Sequence, residues 1–155
     1  HSNGYSLVRR VFDLQKEDLR SRRESLGMSL GQALLAPTKI YVRPLLDLIG
    51  QVDVHGAAHI TGGGFYENIP RILPPGLRAV VDRASWQVPP LFRLLQNEGG
   101  IEERDMFNTF NMGVGMVAAV AADAADRALA LLRGQGEAAW LIGEVRPGEQ
   151  GVELC

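Results

Sequence analysis

Apolar positions along this chain fall into two rhythms, one of helices and one of strands. Gly4, Leu7, Val8 and Val11 sit at i, i+3, i+4 and i+7, a single stripe that predicts a helix over about residues 4–13, with Ser2 or Asn3 as its cap. The stretch from Gln15 to Glu24 is polar and reads as exposed. Leu30 to Leu35 predicts a short helix that stops before Pro37, because a residue preceding proline avoids helical geometry. Lys39 to Val42 reads as a short extended piece. Pro44 suits the first turn of a further helix, where a missing N–H does no harm, and Leu45, Leu48, Ile49 and Val52 form its buried stripe. Val52 to Ile60 then alternates as a strand. Val54, Ala58 and Ile60 point one way, and Asp53, His55, Ala57 and His59 the other.

Pro74-Pro75-Gly76 marks a turn and Leu77 to Val81 a strand. Pro89-Pro90 opens a helix through about Gln96, ended by Gly99-Gly100, and Glu102 to Phe107 starts another. Val114 to Val120 predicts a buried strand. Asp123 is placed to cap a helix with Ala125, Ala128, Leu129 and Leu132 on one stripe, ended at Gly134. Trp140 to Val145 predicts a strand, and Gly151 to Leu154 a last edge strand. Helices interspersed with strands predict an α/β (or α+β) domain built on a mixed sheet.

Composition narrows the function classes. At 155 residues the chain suffices for one domain with a real core. Apolar residues make up 46% and charged residues 22%, an ordinary globular balance. Lys and Arg number 16 against 18 Asp and Glu, a net charge of −2, so no basic field exists for nucleic acid or an anionic membrane. The densest basic run, Arg20-Ser21-Arg22-Arg23, is interspersed with acids and reads as a solvated face. Cys155 is the only cysteine, which rules out an intrachain disulfide and fits a reducing, intracellular setting. No apolar run is long enough to span a bilayer, and no charged-then-apolar leader opens the sequence. His1 to Tyr5 reads as the end of a strand entering a helix, so a preceding strand is expected upstream.

The segment with the most chemistry is His59-Ile60-Thr61-Gly62-Gly63-Gly64-Phe65-Tyr66-Glu67-Asn68-Ile69-Pro70-Arg71. A strand runs into three glycines and then a polar helical segment. Glycines allow positive φ and close approach of a ligand, and free N–H groups at a helix start favour an anion such as phosphate. A plain tight turn satisfies the same pattern. The run lacks the Lys-Ser/Thr ending of a P-loop and the spacing of a dinucleotide fingerprint. Thr61 adds a hydroxyl, and Arg71 adds a guanidinium or merely a surface ion pair. His55 and His59 share a face if the strand carries no bulge. They suit proton transfer at neutral pH or a structural hydrogen bond, and without a third ligand in spacing they make no metal site. His59 abuts the glycines and is the better candidate. Ser2-Asn3-Gly4 reads either as a cap or as a polar lining. Phe107-Asn108-Thr109-Phe110-Asn111-Met112-Gly113 carries amides able to orient a ligand, or is simply a turn with its two rings in the core.

His1 to Arg9, Leu34 to Val42, His59 to Arg71 and Met106 to Met116, in this order and spacing, resemble the C-terminal domain of the phosphoribosylformylglycinamidine cyclo-ligase (aminoimidazole ribonucleotide synthetase) family, over essentially the whole chain. The resemblance implies a layered α/β domain with a mixed sheet flanked by helices, partly ferredoxin-like. It implies an enzyme of purine biosynthesis that closes the imidazole ring of aminoimidazole ribonucleotide from formylglycinamidine ribonucleotide, in the cytoplasm. ATP and magnesium would be bound mainly by an N-terminal domain absent from this sequence, and family members are homodimers through that domain. The resemblance makes residues 1–155 a single C-terminal domain, expected to be inactive alone and to leave an apolar flank uncovered. On the matching positions His59 is the candidate for proton transfer or orientation. Ser2, Asn3, Gly4, Thr61, Gly62, Gly63, Gly64, Asn68 and Asn108 are candidates for holding substrate or phosphate, and no residue is implied as a metal ligand. Related enzymes share this architecture: formylglycinamidine ribonucleotide synthase, selenophosphate synthetase and thiamine-phosphate kinase. A non-catalytic domain that binds phosphate ligands is the reading from a different class.

Overall fold

The computed structural model describes residues 3–13 and 16–155. His1 and the candidate Ser2 lie outside them. Helix α1 (Tyr5–Val11) forms where the apolar stripe predicts it, but Asn3 does not cap it. The cap position is Gly4 at φ +75°, and its carbonyl accepts from the N–H groups of Leu7 and Val8 at 3.0 and 3.1 Å. Asn3 instead donates its side-chain amide to the Thr109 carbonyl at 2.8 Å. A hairpin of β1 (Arg22–Arg23) and β2 (Met28–Ser29) interrupts the polar stretch. It leads into α2 (Leu30–Leu34), which starts with a reciprocal capping box between Ser29 and Gln32. This two-way exchange satisfies N–H groups that a helix start otherwise leaves open.

Helix α3 (Val42–Ile49) begins at the end of the stretch expected to be extended, and Pro44 lies in its first turn. Leu48 and Val52 are buried, with Ala128 of α7 (Ala125–Gly134), in a small second core. Ile49, expected in that stripe, is 51% exposed. The contact with α7 is a narrow seam, so Val42, Leu46 and Ile49 remain on an uncovered face. A 3-10 turn, Ala122–Ala124, precedes α7; Ala124 rather than Asp123 occupies the cap position, because Asp123 is inside that turn.

Strand β3 (Val54–His59) pairs antiparallel with β5 (Met116–Val120), and the register shifts between Val54 and Gly56. A bulge therefore falls at His55, and the condition for the two histidines to share a face is not met. Strand β5 is half-buried along its length rather than buried. Its side opens onto an apolar cavity of about 640 Å³ bounded by α3, α7, β4 (Leu77–Val81) and β6 (Gly143–Pro147). Strand β4 is the centre of a mixed sheet, antiparallel to β6 and parallel to β7 (Gly151–Leu154), which is an edge strand as predicted. Strand β6 starts three positions later than Trp140: Ile142 already accepts from the Asp82 N–H at 2.8 Å, while Trp140 and Leu141 approach the ladder exposed.

The main core gathers Phe12, Leu30, Ile60, Phe65, Leu95 and Met106, all fully buried. Burying each contributes roughly 1.5–3 kcal/mol. Two further helices, α5 (Pro90–Gly99) and α6 (Glu103–Thr109), cover it, and Gly100 at φ +55° ends α5 as the glycine pair predicts. The architecture is a mixed α/β one with small sheets flanked by helices. Among the described residues no helix is long and apolar enough to cross a membrane.

Candidate functional site

Three segments separated by dozens of residues converge on the end of α6. Asn3 bonds to the Thr109 carbonyl. A Cβ added to Gly4 would collide with the Phe110 ring, and one added to Gly64 would collide with the Phe107 carbonyl oxygen. Only glycine permits approaches this close, and both positions have positive φ. Beneath them Phe65 stacks on Trp86 with centroids 5.7 Å apart, and Phe107 meets Phe65 edge-on at 5.3 Å. Trp86 donates to the Met112 carbonyl at 3.0 Å. This aromatic base fixes the bend against α6.

The bend itself runs from Thr61 into α4 (Gly64–Asn68), with Gly63 at φ +86° in the cap position. The Gly64 N–H donates to the Thr61 carbonyl at 2.9 Å, so that amide faces inward. Among the described residues the N–H groups of Gly62 and Gly63 have no backbone acceptor. Gly62 is exposed, and a Cβ there would meet nothing within 4 Å. Asn68 is buried and ties the bend together: its amide nitrogen donates to the carbonyls of Gly62 at 3.1 Å and Gly64 at 2.7 Å, while its oxygen accepts from Arg71 at 3.2 Å. Arg71 also lies 3.7 Å from Glu67. Asn108 is exposed beside Gly64. Thr61 is half-buried. Along the bend Gly62 is exposed, Gly63 half-buried and Gly64 buried.

His59, the last residue of β3, is exposed, and its ring meets Tyr41 edge-on at 5.7 Å. Lys39 lies 5.9 Å from the centre of the Tyr41 ring and pairs with Glu137 from beyond α7. Burial, and secondarily the Glu137 charge, hold the Tyr41 phenol above its ordinary pKa. His55 is separate, 3.4 Å from Asp53 at the other end of the strand. Sequence reasoning did not single out Tyr41, Lys39 and Glu137 as a unit. The motif Lys39-Ile40-Tyr41 places two of them on alternate positions, but nothing in the sequence points to residue 137. Asn111 is buried in a second cavity of about 370 Å³, between α1, α2 and α5.

The sequence matches the family described as AIR synthase related protein, C-terminal domain, over residues 1–154. A phosphoribosylformylglycinamidine cyclo-ligase of Shouchella clausii (strain KSM-K16) is 56% identical over 98% of this chain and 44% of the relative. One of Lachnoclostridium phytofermentans is 54% identical over 100% of this chain and 46% of the relative. The chain thus spans a little under half the length of these curated relatives. Among solved structures, thiamine-monophosphate kinase from Stenotrophomonas maltophilia K279a is similar with a TM-score of 0.65 and 22% identity, over 96% of this chain and 46% of that one. The Escherichia coli hydrogenase maturation protein HypE is similar with a TM-score of 0.61 and 25% identity, over 78% and 37%. The first of these likenesses carries the fold alone. The chain belongs to the AIR synthase related protein C-terminal domain family.

Proposed function

We propose that this chain is the C-terminal domain of an ATP-dependent cyclo-ligase that closes the imidazole ring of aminoimidazole ribonucleotide, a cytoplasmic enzyme of purine synthesis paired as a homodimer through its N-terminal half. The observation that supports this reading is the meeting of Asn3-Gly4, Gly64 and Phe107 to Phe110 at one end of α6, in a chain whose relatives at 54% and 56% identity bear the cyclo-ligase name. ATP, in this reading, supplies the phosphoryl group that activates the formamide oxygen of the ribotide. Among the described residues no group of three or more His, Cys, Asp or Glu side chains is placed to hold a metal ion, and in this reading magnesium belongs to the N-terminal half.

The residues present divide the remaining work. The N–H groups of Gly62 and Gly63 hold a phosphate oxygen, with the Thr61 hydroxyl beside them. Asn68 keeps the bend in shape by its two bonds to loop carbonyls. His59, exposed beside the bend and braced by Tyr41, holds or moves a proton at the imidazole. Asn3 and Gly4 set the distance between α1 and the end of α6, and Asn108 presents an amide at the rim. Phosphoryl transfer asks for positioning and charge stabilisation more than a protein nucleophile, and this arrangement offers the positioning part.

The test is Gly62→Val. Its side chain enters open space, so the fold is expected to persist. In amide NMR spectra of the chain, inorganic phosphate should shift Gly62 and Gly63, and the variant should lose the effect. In the full-length enzyme the same change should raise the ribotide or ATP KM by about tenfold or more, because the valine side chain fills the space beside the loop and keeps a phosphate oxygen from its N–H groups. Unshifted glycine amides and an unchanged KM would overturn the phosphate assignment. The isolated chain given ribotide, ATP and magnesium should form no product above background.

A further inference from the structure

We propose that the cavity between α1, α2 and α5 binds a planar nitrogen heterocycle, whose ring acceptor is read by the side-chain amide of Asn111. The cavity has a volume of about 370 Å³, room for a one- or two-ring base. Its wall includes Phe92 and Phe110, whose rings lie 5.6 Å apart and tilted by 49°, with Pro89 beside them. Flat apolar walls of this kind take the face of a ring, and a small number of polar groups then fix its orientation.

Asn111 provides the orienting group. It is only 7% exposed, and its oxygen is already committed to the Gly113 N–H at 3.0 Å. Its amide nitrogen donates to no atom among the described residues. It is also not sealed in, for Arg78 Nε is the one side-chain polar atom among them that is both enclosed and unpartnered. The nitrogen therefore keeps some exposure, and Asn111 stands in the wall of this cavity. The neighbouring polar groups are engaged elsewhere: Asn3 donates to Thr109 and the Tyr5 hydroxyl to the Leu34 carbonyl. A ligand that seats here satisfies the Asn111 donor by offering a ring nitrogen or carbonyl oxygen.

This inference rests on the reading above, in which the domain handles a ribotide and a nucleotide. It gives one of their rings a place while the glycine bend takes a phosphate. Two sources share the chemistry, the imidazole of the aminoimidazole ribonucleotide product and the adenine of the nucleotide.

The experiment uses the 155-residue chain, labelled with nitrogen-15, and three probes: aminoimidazole riboside, adenosine and ribose 5-phosphate. One of the two ring probes should saturably shift the Asn111 side-chain amide and the Phe92 and Phe110 ring protons, and which one does so identifies the source. Ribose 5-phosphate should shift only Gly62 and Gly63. Asn111→Asp keeps the acceptor for Gly113 but removes the donor, and should weaken the ring probe by about tenfold. Ala33→Leu, which fills the cavity from α2 without touching Asn111, should weaken it at least as much. Both variants should leave the response to ribose 5-phosphate intact, which also shows that they are folded. If neither ring moves Asn111 at millimolar concentration, or if Ala33→Leu binds the ring as the parent does, the cavity site is refuted. If Asn111 responds while Gly62 and Gly63 do not, the phosphate reading fails and the ring site stands.

Discussion

The His59 imidazole meets the Tyr41 ring edge-on, with centroids 5.7 Å apart and planes inclined at 63°. At the end of the two-stranded ribbon this aromatic ring lies against the histidine and helps set its orientation. Tyr41 is itself placed by Lys39, which the Glu137 carboxylate holds from the far side of α7. Replacing Tyr41 with Leu should return the His59 ring protons toward unstructured shifts, while Tyr41→Phe should preserve the ring-current displacement. Equal spectra for the two variants would show that the ring does not position His59.

The phenol of Tyr41 gives a dependence on alkaline pH. Burial, then the Glu137 charge, raises its pKa above the ordinary value near 10. Above that ordinary value the unfolded chain loses this proton before the folded one, so the folded state binds more protons and stability falls as pH rises. Below it the contribution is fully present. Denaturant midpoints measured on either side of pH 10 should decline with pH, and less steeply for Tyr41→Phe. Glu137→Gln should lower the phenol's titration midpoint, read by its ultraviolet absorbance. A steeper decline in Tyr41→Phe would contradict the sign.

Gly64 is the position at which the bend tolerates no side chain. Its φ is +54°, and a Cβ would strike the Phe107 carbonyl, a backbone atom that cannot swing away. Gly64→Ala should cost about 3 kcal/mol, combining left-handed strain of roughly 1–2 kcal/mol with an overpacking term of similar size. Urea unfolding checks it. Gly62→Ala, facing open space, should change stability by less than about 0.5 kcal/mol, the usual range for surface changes. Similar losses at both glycines would show that the bend is not organised by contact with α6.

Local chemistry made most helices and the β4 strand legible. Pro89-Pro90 and Gly99-Gly100 bracket α5 because proline suits a first turn and glycine takes the left-handed exit. The failures are those of long-range partners. Asn3 has the right chemistry for a cap, but Thr109, 106 residues on, takes its amide. Ile49 has the right period for burial, but α7 covers only the Leu48 side. The bulge at His55 comes from pairing with β5, which the alternation of β3 does not encode. At the site, the glycine run predicts a bend but not the bonds that hold it, which Asn68 makes by reaching back to the carbonyls of Gly62 and Gly64. In the sequence Asn111 is one amide among several, and only its bond to Gly113 shows which of its atoms is left over.

The Ser29 cap was within reach of sequence, since Ser29-x-x-Gln32 before an apolar residue is a capping-box spacing. Its side chain accepts from the Gln32 N–H at 3.2 Å, and the Gln32 oxygen accepts from the Ser29 N–H at 3.0 Å. Helix α2 has only five residues and depends on its ends. Ser29→Ala should destabilise the protein by about 1 kcal/mol, and Ser29→Asp should retain most of the stability. Thermal unfolding compares them; an Asp variant as unstable as Ala would assign the loss to burial of Ser29 rather than to capping.

Leu35, Ile40, Val42, Leu46 and Ile49 are each more than half exposed, and the last three fall at i, i+4 and i+7 on one face of α3. Isolated exposed apolar residues are common, but three on one helix face are a contiguous liability in water. Leu46 is 61% exposed, so replacing it with Lys removes little packing and should leave the unfolding midpoint nearly unchanged. The same change places a charge in the middle of the face and should reduce concentration-dependent self-association of the chain. Sedimentation velocity of the parent and Leu46→Lys over a concentration series separates the outcomes. Association in the parent that the lysine suppresses supports a sticky face; a parent that stays monomeric throughout refutes it.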